Sequence, residues 1–223
     1  MNKTKIEYLD YCWNFYPGCK NGCSYCWAYK RAIRFNKGDF EPKLKAELLL
    51  DPLKVKRPSR IGVCFTGDLF GDWVDPEKRV EVSLPSGIGT IKMSLKGWVF
   101  TTIEQCPQHT FIFLTKQPQS LIRWSPFPEN CWVGVSATDA ESCLAALRGL
   151  EQVKANVKFV SLEPLLDYIG GLWLEDWLKS GVVQWLIIGQ QTPESIKTAP
   201  KIEWVKEIVK ACDKAGVAVF LKY

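Results

Sequence analysis

The chain has 223 residues, 47% of them hydrophobic and 24% charged, the make-up of a folded domain and not of a disordered segment. Its formal charge of +5 is a mild basic excess, which suits a phosphate-bearing partner without requiring one. No apolar run is long enough to cross a bilayer, and the opening stretch MNKTKIEYLDYCWNF lacks the uninterrupted apolar core of a secretory leader. A single α/β domain over 1–223 in the cytoplasm, with no membrane contact, is the expectation.

Taken in chain order, a strand at 11–15 leads into a glycine- and cysteine-containing loop and then a helix over 25–36. A strand follows at 61–65. Residues 79–95, RVEVSLPSGIGTIKMSL, alternate with period two around a Pro-Ser-Gly-Ile-Gly turn and predict an inserted β-hairpin, either a surface decoration or a flap over the active face. A helix at 96–104 precedes a strand at 110–114, and a short helix is expected at 118–124. The next units are strand 132–135 with helix 139–153, which opens on an Asp cap, and strand 158–162 with helix 172–179. Strand 185–188, helix 202–215 with Gly216 as its stop, and strand 217–221 complete the pattern.

Runs such as IGVCF, TFIFL and QWLII are apolar throughout, as parallel strands buried on both faces are. Strand–helix alternation with right-handed crossovers then predicts a parallel sheet, either an open wound sheet or a partial (β/α) barrel, and the strand count favours a partial barrel of six or seven parallel strands.

Nine cysteines are many for a reducing compartment, where a disulfide framework is not expected. Six are scattered through apolar or helical surroundings. The other three, Cys19, Cys23 and Cys26, fall within eight residues on the first loop, where Gly18 and Gly22 permit sharp turns. Three thiolates so spaced can hold one 4Fe–4S cluster and leave an iron open to a further ligand. A zinc site with Cys12 as fourth ligand is the competing reading, but zinc knuckles come as two separated pairs and there is no second pair.

The three cysteines, with Tyr25 just before the last, resemble the signature of the radical S-adenosylmethionine superfamily. More narrowly, the motifs TGDLFGDWV, PQHTFIFLTKQP, WVGVSATD, FVSLEPLL and LIIGQQT resemble in content and order those of a phage-associated family. The resemblance implies a partial (β/α) barrel with the cluster loop after the first strand, and S-adenosylmethionine chelated at the open iron. One electron would then split the sulfonium into methionine and a 5′-deoxyadenosyl radical. The electron would come from an external flavodoxin- or ferredoxin-like donor. A nucleotide or nucleic acid is the substrate class favoured by the phage association, the mild basicity and the aromatic residues.

In a barrel, residues just past the strand C-termini build the site. They include Thr66, Gly67, Asp68, Thr115, Lys116, Ser136, Thr138, Glu163, the segment 189–191 and Lys222. The resemblance points to Tyr25, Gly67 and Asp68 for cofactor binding, and Ser136 and Glu163 are candidates by position and chemistry. Gly67 would allow close backbone approach and Asp68 would pair the methionine ammonium, unless it caps its turn. Ser136 and Glu163 would meet the ribose hydroxyls or the sulfonium end, unless each caps the following helix. Lys116 is the candidate catalytic residue, as proton donor or as partner of a carboxylate or phosphate, and is otherwise a solvated lysine. Gly189-Gln190-Gln191 departs from the Gly-Gly-Glu of the similar family.

His109, the lone histidine, precedes a strand at the far end and reads as structural; Trp73 would stack on a base or pack as a lid. A non-catalytic binding or redox-sensing protein with a structural iron–sulfur or zinc site is the alternative function.

Overall fold

The computed structural model describes residues 1–35, 38–84, 87 and 89–222. Its main sheet has eight strands: β1 (Asn2–Lys3), β2 (Tyr11–Trp13), β3 (Arg60–Val63), β6 (Thr110–Thr115), β7 (Cys131–Ala137), β8 (Val157–Leu162), β9 (Trp185–Gly189) and β10 (Ala218–Lys222). They lie side by side in that order, and every pair is parallel except β1 with β2. The seven parallel strands and their crossovers form the expected partial (β/α) barrel. The two-residue β1 was not foreseen, because so short an edge strand carries no periodicity to read.

Among the described residues, five α-helices accompany the sheet: α1 (Trp27–Phe35), α2 (Leu95–Glu104), α3 (Ala140–Glu151), α4 (Leu172–Lys179) and α5 (Ile202–Ala215). The expected end of the first helix at 36 lies outside the described residues. Ser94 caps α2 by accepting from the Gly97 amide at 3.1 Å. Asp139 caps α3 in a reciprocal box with Ser142. Gly216, at φ 70°, stops α5 in the left-handed conformation that a residue with a Cβ avoids. The segment Pro118–Arg123 winds as a tight 3-10 turn instead of an α-helix.

Strands β4 (Arg79–Ser83) and β5 (Thr90–Ser94) pair antiparallel as the hairpin. Of its expected turn, residues 85, 86 and 88 lie outside the described residues. Val80 and Val82 are buried, and the Trp98 indole of α2 donates to the Val80 carbonyl at 2.9 Å, so the hairpin is seated on α2 in the helix layer.

Two cores result from the period-two alternation of the strands. The larger lies between sheet and helices and includes Trp13, Phe15, Phe111, Phe113, Val133 and Leu162. The smaller is inside the barrel, where Tyr8, Leu9, Ile112, Phe159 and Ile187 are buried with Trp132, Trp185 and Phe220 packed around them. Gly134 makes room there, since a Cβ on it would stand 2.3 Å from the Phe159 ring. This plug closes the N-terminal end of the barrel and leaves the strand C-termini as the open end. No helix among the described residues is long and apolar enough to cross a membrane.

Candidate functional site

The loop between β2 and α1 lies across the end of β3. Asn14 accepts from the Thr66 amide at 3.2 Å, the Gly18 amide donates to the Thr66 carbonyl at 3.1 Å, and the Cys19 amide donates to the Phe40 carbonyl at 3.1 Å. The loop is therefore held between two backbone segments, and the contacts are too close for side chains. A Cβ on Gly67 would stand 2.4 Å from the Tyr16 carbonyl oxygen, and one on Gly18, at φ +91°, 2.4 Å from that of Glu41. Gly67 thus permits the close approach expected of it, and in this structure what approaches is the cysteine loop itself. Gly22, at φ +66°, makes the second sharp bend in open space.

Cys19, Cys23 and Cys26 are all half-buried and free. The Asn21 amide donates to the Cys19 sulfur at 3.4 Å and the Tyr29 amide to the Cys26 sulfur at 3.3 Å. Burial pushes the Cys19 thiol up to about 11, the Asn21 amide opposes this, and negative charge on Asp68, Cys23 or Cys26 adds to it. Bare of metal, the Cys19 thiol stays protonated at neutral pH; a cation at its sulfur reverses that balance and draws out the thiolate. Cys12 is packed at the inner barrel cluster. Among the described residues, no three His, Cys, Asp or Glu side chains converge closely enough to bind a single metal ion.

Tyr25 lies between this loop and the barrel interior. Its phenol is raised first by burial and then by Cys23, and the Lys116 ammonium stands 5.2 Å above its ring. Lys116 donates to the Ser136 hydroxyl at 2.7 Å, which donates to the Glu163 carbonyl at 3.1 Å. Burial lowers the Lys116 ammonium, and Cys23, Asp68, Glu163 and Cys26 all oppose that shift. Lys116 is therefore not a solvated lysine. The Glu163 carboxylate pairs with the Lys222 ammonium. Gly189 leaves room for that pair, a Cβ there being 3.1 Å from Glu163 Cγ. Ser136 and Glu163 are not helix caps, since Asp139 caps α3 and Gly171 precedes α4.

Asp68 departs from its expected role. It is buried, and its two oxygens accept from the Phe70 amide at 3.1 Å, Thr115 Oγ1 at 2.7 Å, the Lys116 amide at 3.0 Å and Asn21 Nδ2 at 2.8 Å. With those positions filled, the pairing with an ammonium finds no free oxygen. Asp68 instead ties the cysteine loop to the ends of β3 and β6. Asn21 completes the tie by accepting from Gln117 Nε2 at 2.8 Å, and Gln117 accepts from the Asp72 amide at 3.3 Å. Asn21 and Gln117 were not singled out in the sequence, where neutral amides carry no signal.

Trp73 packs over Gly71, where a Cβ would come within 2.2 Å of its ring, and rests against the larger core. His109 is buried at the start of β6, its Nε2 at 3.0 Å from the Val55 carbonyl, at the opposite end of the barrel.

The family model described as Protein of unknown function (DUF5131) matches residues 3–85 and 89–223. The chain belongs to that family. Every residue of the site just described lies within the matched segments of DUF5131. Among solved structures, a tyrosine-to-phenylalanine mutant of spore photoproduct lyase superposes with a TM-score of 0.57 at 10% sequence identity. The match covers 99% of this chain and 79% of that one, and at such identity it shows the fold alone. No curated protein sequence matches.

Proposed function

We propose that this DUF5131 chain is a radical S-adenosylmethionine enzyme: Cys19, Cys23 and Cys26 hold one 4Fe–4S cluster, and S-adenosylmethionine is cleaved there to start radical chemistry on a nucleotide or nucleic-acid substrate. The observation that carries the reading is the loop itself. It presents three half-buried thiols at the open end of a partial barrel, two of them receiving backbone amides, beside the half-buried ammonium of Lys116. The donor set fits a cubane, which spreads its thiolates over separate irons and does not need them to converge. When bound and reduced, the cluster supplies the electron that splits the sulfonium into methionine and a 5′-deoxyadenosyl radical.

The chain's own residues bind and orient. Asn21, Asp68 and Gln117 fix the loop to the barrel rim. Lys116, held by Ser136 and lying over Tyr25, offers a cation to the carboxylate of the cofactor or a phosphate of the substrate. Glu163, with Lys222 as counter-ion, offers its remaining acceptor capacity to hydroxyl groups such as those of a ribose. The aromatic plug of the inner barrel keeps bulk water away from the end opposite the loop.

Anaerobic reconstitution tests the ligand set. Wild type should take up about four irons per chain. Cys19→Ala, Cys23→Ala and Cys26→Ala should each lose them, and Cys12→Ala should keep them. Protein that binds zinc and no iron, or a Cys12→Ala variant that alone loses the metal, would overturn the assignment.

A further inference from the structure

Helix α1 is unusual among the helices of this chain. It begins at the residue after Cys26, and its first turn holds that cysteine through the Tyr29 amide on the sulfur and the Lys30 amide on the carbonyl at 3.1 Å. Yet Ala32 is its one buried residue. Trp27 is 44% exposed, Tyr29 46%, Ile33 53% and Phe35 67%. The inner side of the helix borders a cavity of about 590 Å³ lined also by Trp13, Asn14 and Leu48. Trp27 and Phe35 belong to that inner side; the outer side sets Ile33 and Tyr29, whose ring also meets Phe40 at 5.7 Å, among the cations Lys30 and Arg34, and the helix carries no acidic residue. Among the described residues, neither cation forms an ion pair, and Arg34 instead lies 5.2 Å from the Phe35 ring.

Apolar side chains left in water beside unpaired cations are what a partner with a carboxylate-rimmed apolar patch would cover. A nine-residue helix is about 14 Å long, so whatever lies on α1 is brought close to Cys26. On the barrel side of the same loop, the Lys116 ammonium stands over the Tyr25 ring.

We propose that the outer face of α1 is the docking surface for a small acidic one-electron carrier protein. The proposal rests on the radical S-adenosylmethionine reading, because only a cluster that must be reduced needs such a partner. One electron leaves the carrier's reduced centre and enters the cluster. The carrier is oxidised by one electron, the cluster is reduced by one, and no proton moves. A single-stranded nucleic acid could also use cations interleaved with aromatic rings. The face favours the carrier because it adjoins the cluster ligand Cys26.

The test measures binding of the full chain to a purified acidic flavodoxin by calorimetry at low salt, with a single-stranded oligonucleotide as the second probe. The double variant Lys30→Glu, Arg34→Glu should weaken flavodoxin binding about tenfold or more, equivalent to about 1.4 kcal/mol. A control pair, Lys206→Glu with Lys210→Glu on α5, makes the same change in net charge at exposed positions away from α1 and should leave binding near wild type. Circular dichroism and iron content establish that both variants fold. If the α1 pair misfolds, Lys30→Gln with Arg34→Gln should still show a smaller weakening and a shallower salt dependence.

Equal binding by the two charge-reversed variants, no flavodoxin binding by wild type, or α1-dependent binding of the oligonucleotide alone would overturn the proposal. The underlying reading fails separately: wild-type protein supplied with dithionite and S-adenosylmethionine would then form no 5′-deoxyadenosine, whatever flavodoxin does.

Discussion

At the residue scale the site depends on a few atoms that have no alternative place to go. Gly67 is the clearest case, because the cysteine loop crosses it with no room for a methyl group. Gly67→Ala should displace the loop, lower iron uptake, and destabilise the fold by about 1–3 kcal/mol, measured by iron analysis and urea unfolding. Gly22→Ala has open space around it and should pay only the cost of its positive φ, about 1–2 kcal/mol, while keeping the iron. Iron lost from both alike would mean that loop conformation, and not the crossing over Gly67, controls the site. The cysteines and Tyr25 were legible in the sequence because their spacing is local. The tie through Asp68 was not, since its partner Asn21 is 47 positions away; Asn21 and Gln117 are 96 apart, and Glu163 and Lys222 are 59 apart. Such pairs exist only once the strands have been ordered.

At the element scale, all seven parallel strands were foreseen, several of them as apolar runs, and α4 and α5 match their expected spans, because burial on both faces and a 3.6-residue period leave strong marks. What remained hidden was how helices meet. Glu175 of α4 accepts from Lys179 of its own helix at 2.6 Å and from Lys214 of α5 at 2.9 Å. The two ammonium groups draw the Glu175 carboxyl down to about 2. A carboxyl held below its unfolded value contributes stability at neutral pH, and that contribution fades as pH falls from the ordinary carboxylate range toward about 2. Glu175→Gln should therefore be less stable than wild type at pH 7, with the gap narrowing on acidification and on adding salt. Urea midpoints that differ by the same amount at every pH would exclude the ion triad as the cause.

At the scale of the whole molecule, the inner aromatic plug and the cysteine loop occupy opposite ends of one barrel, so a change in the plug separates stability from chemistry. Phe159→Ala removes the ring lying on Gly134 and should cost about 3–5 kcal/mol in unfolding free energy. Iron content at low temperature should survive, because the loop is anchored to β3 and β6 and not to the plug. The central claim, that this barrel and its three cysteines serve to cleave S-adenosylmethionine, is tested most directly by a product. Anaerobically reconstituted protein, reduced with dithionite in the presence of S-adenosylmethionine, should release 5′-deoxyadenosine, and Cys23→Ala should abolish the release. An intact, reducible four-iron cluster that yields no 5′-deoxyadenosine would contradict the account.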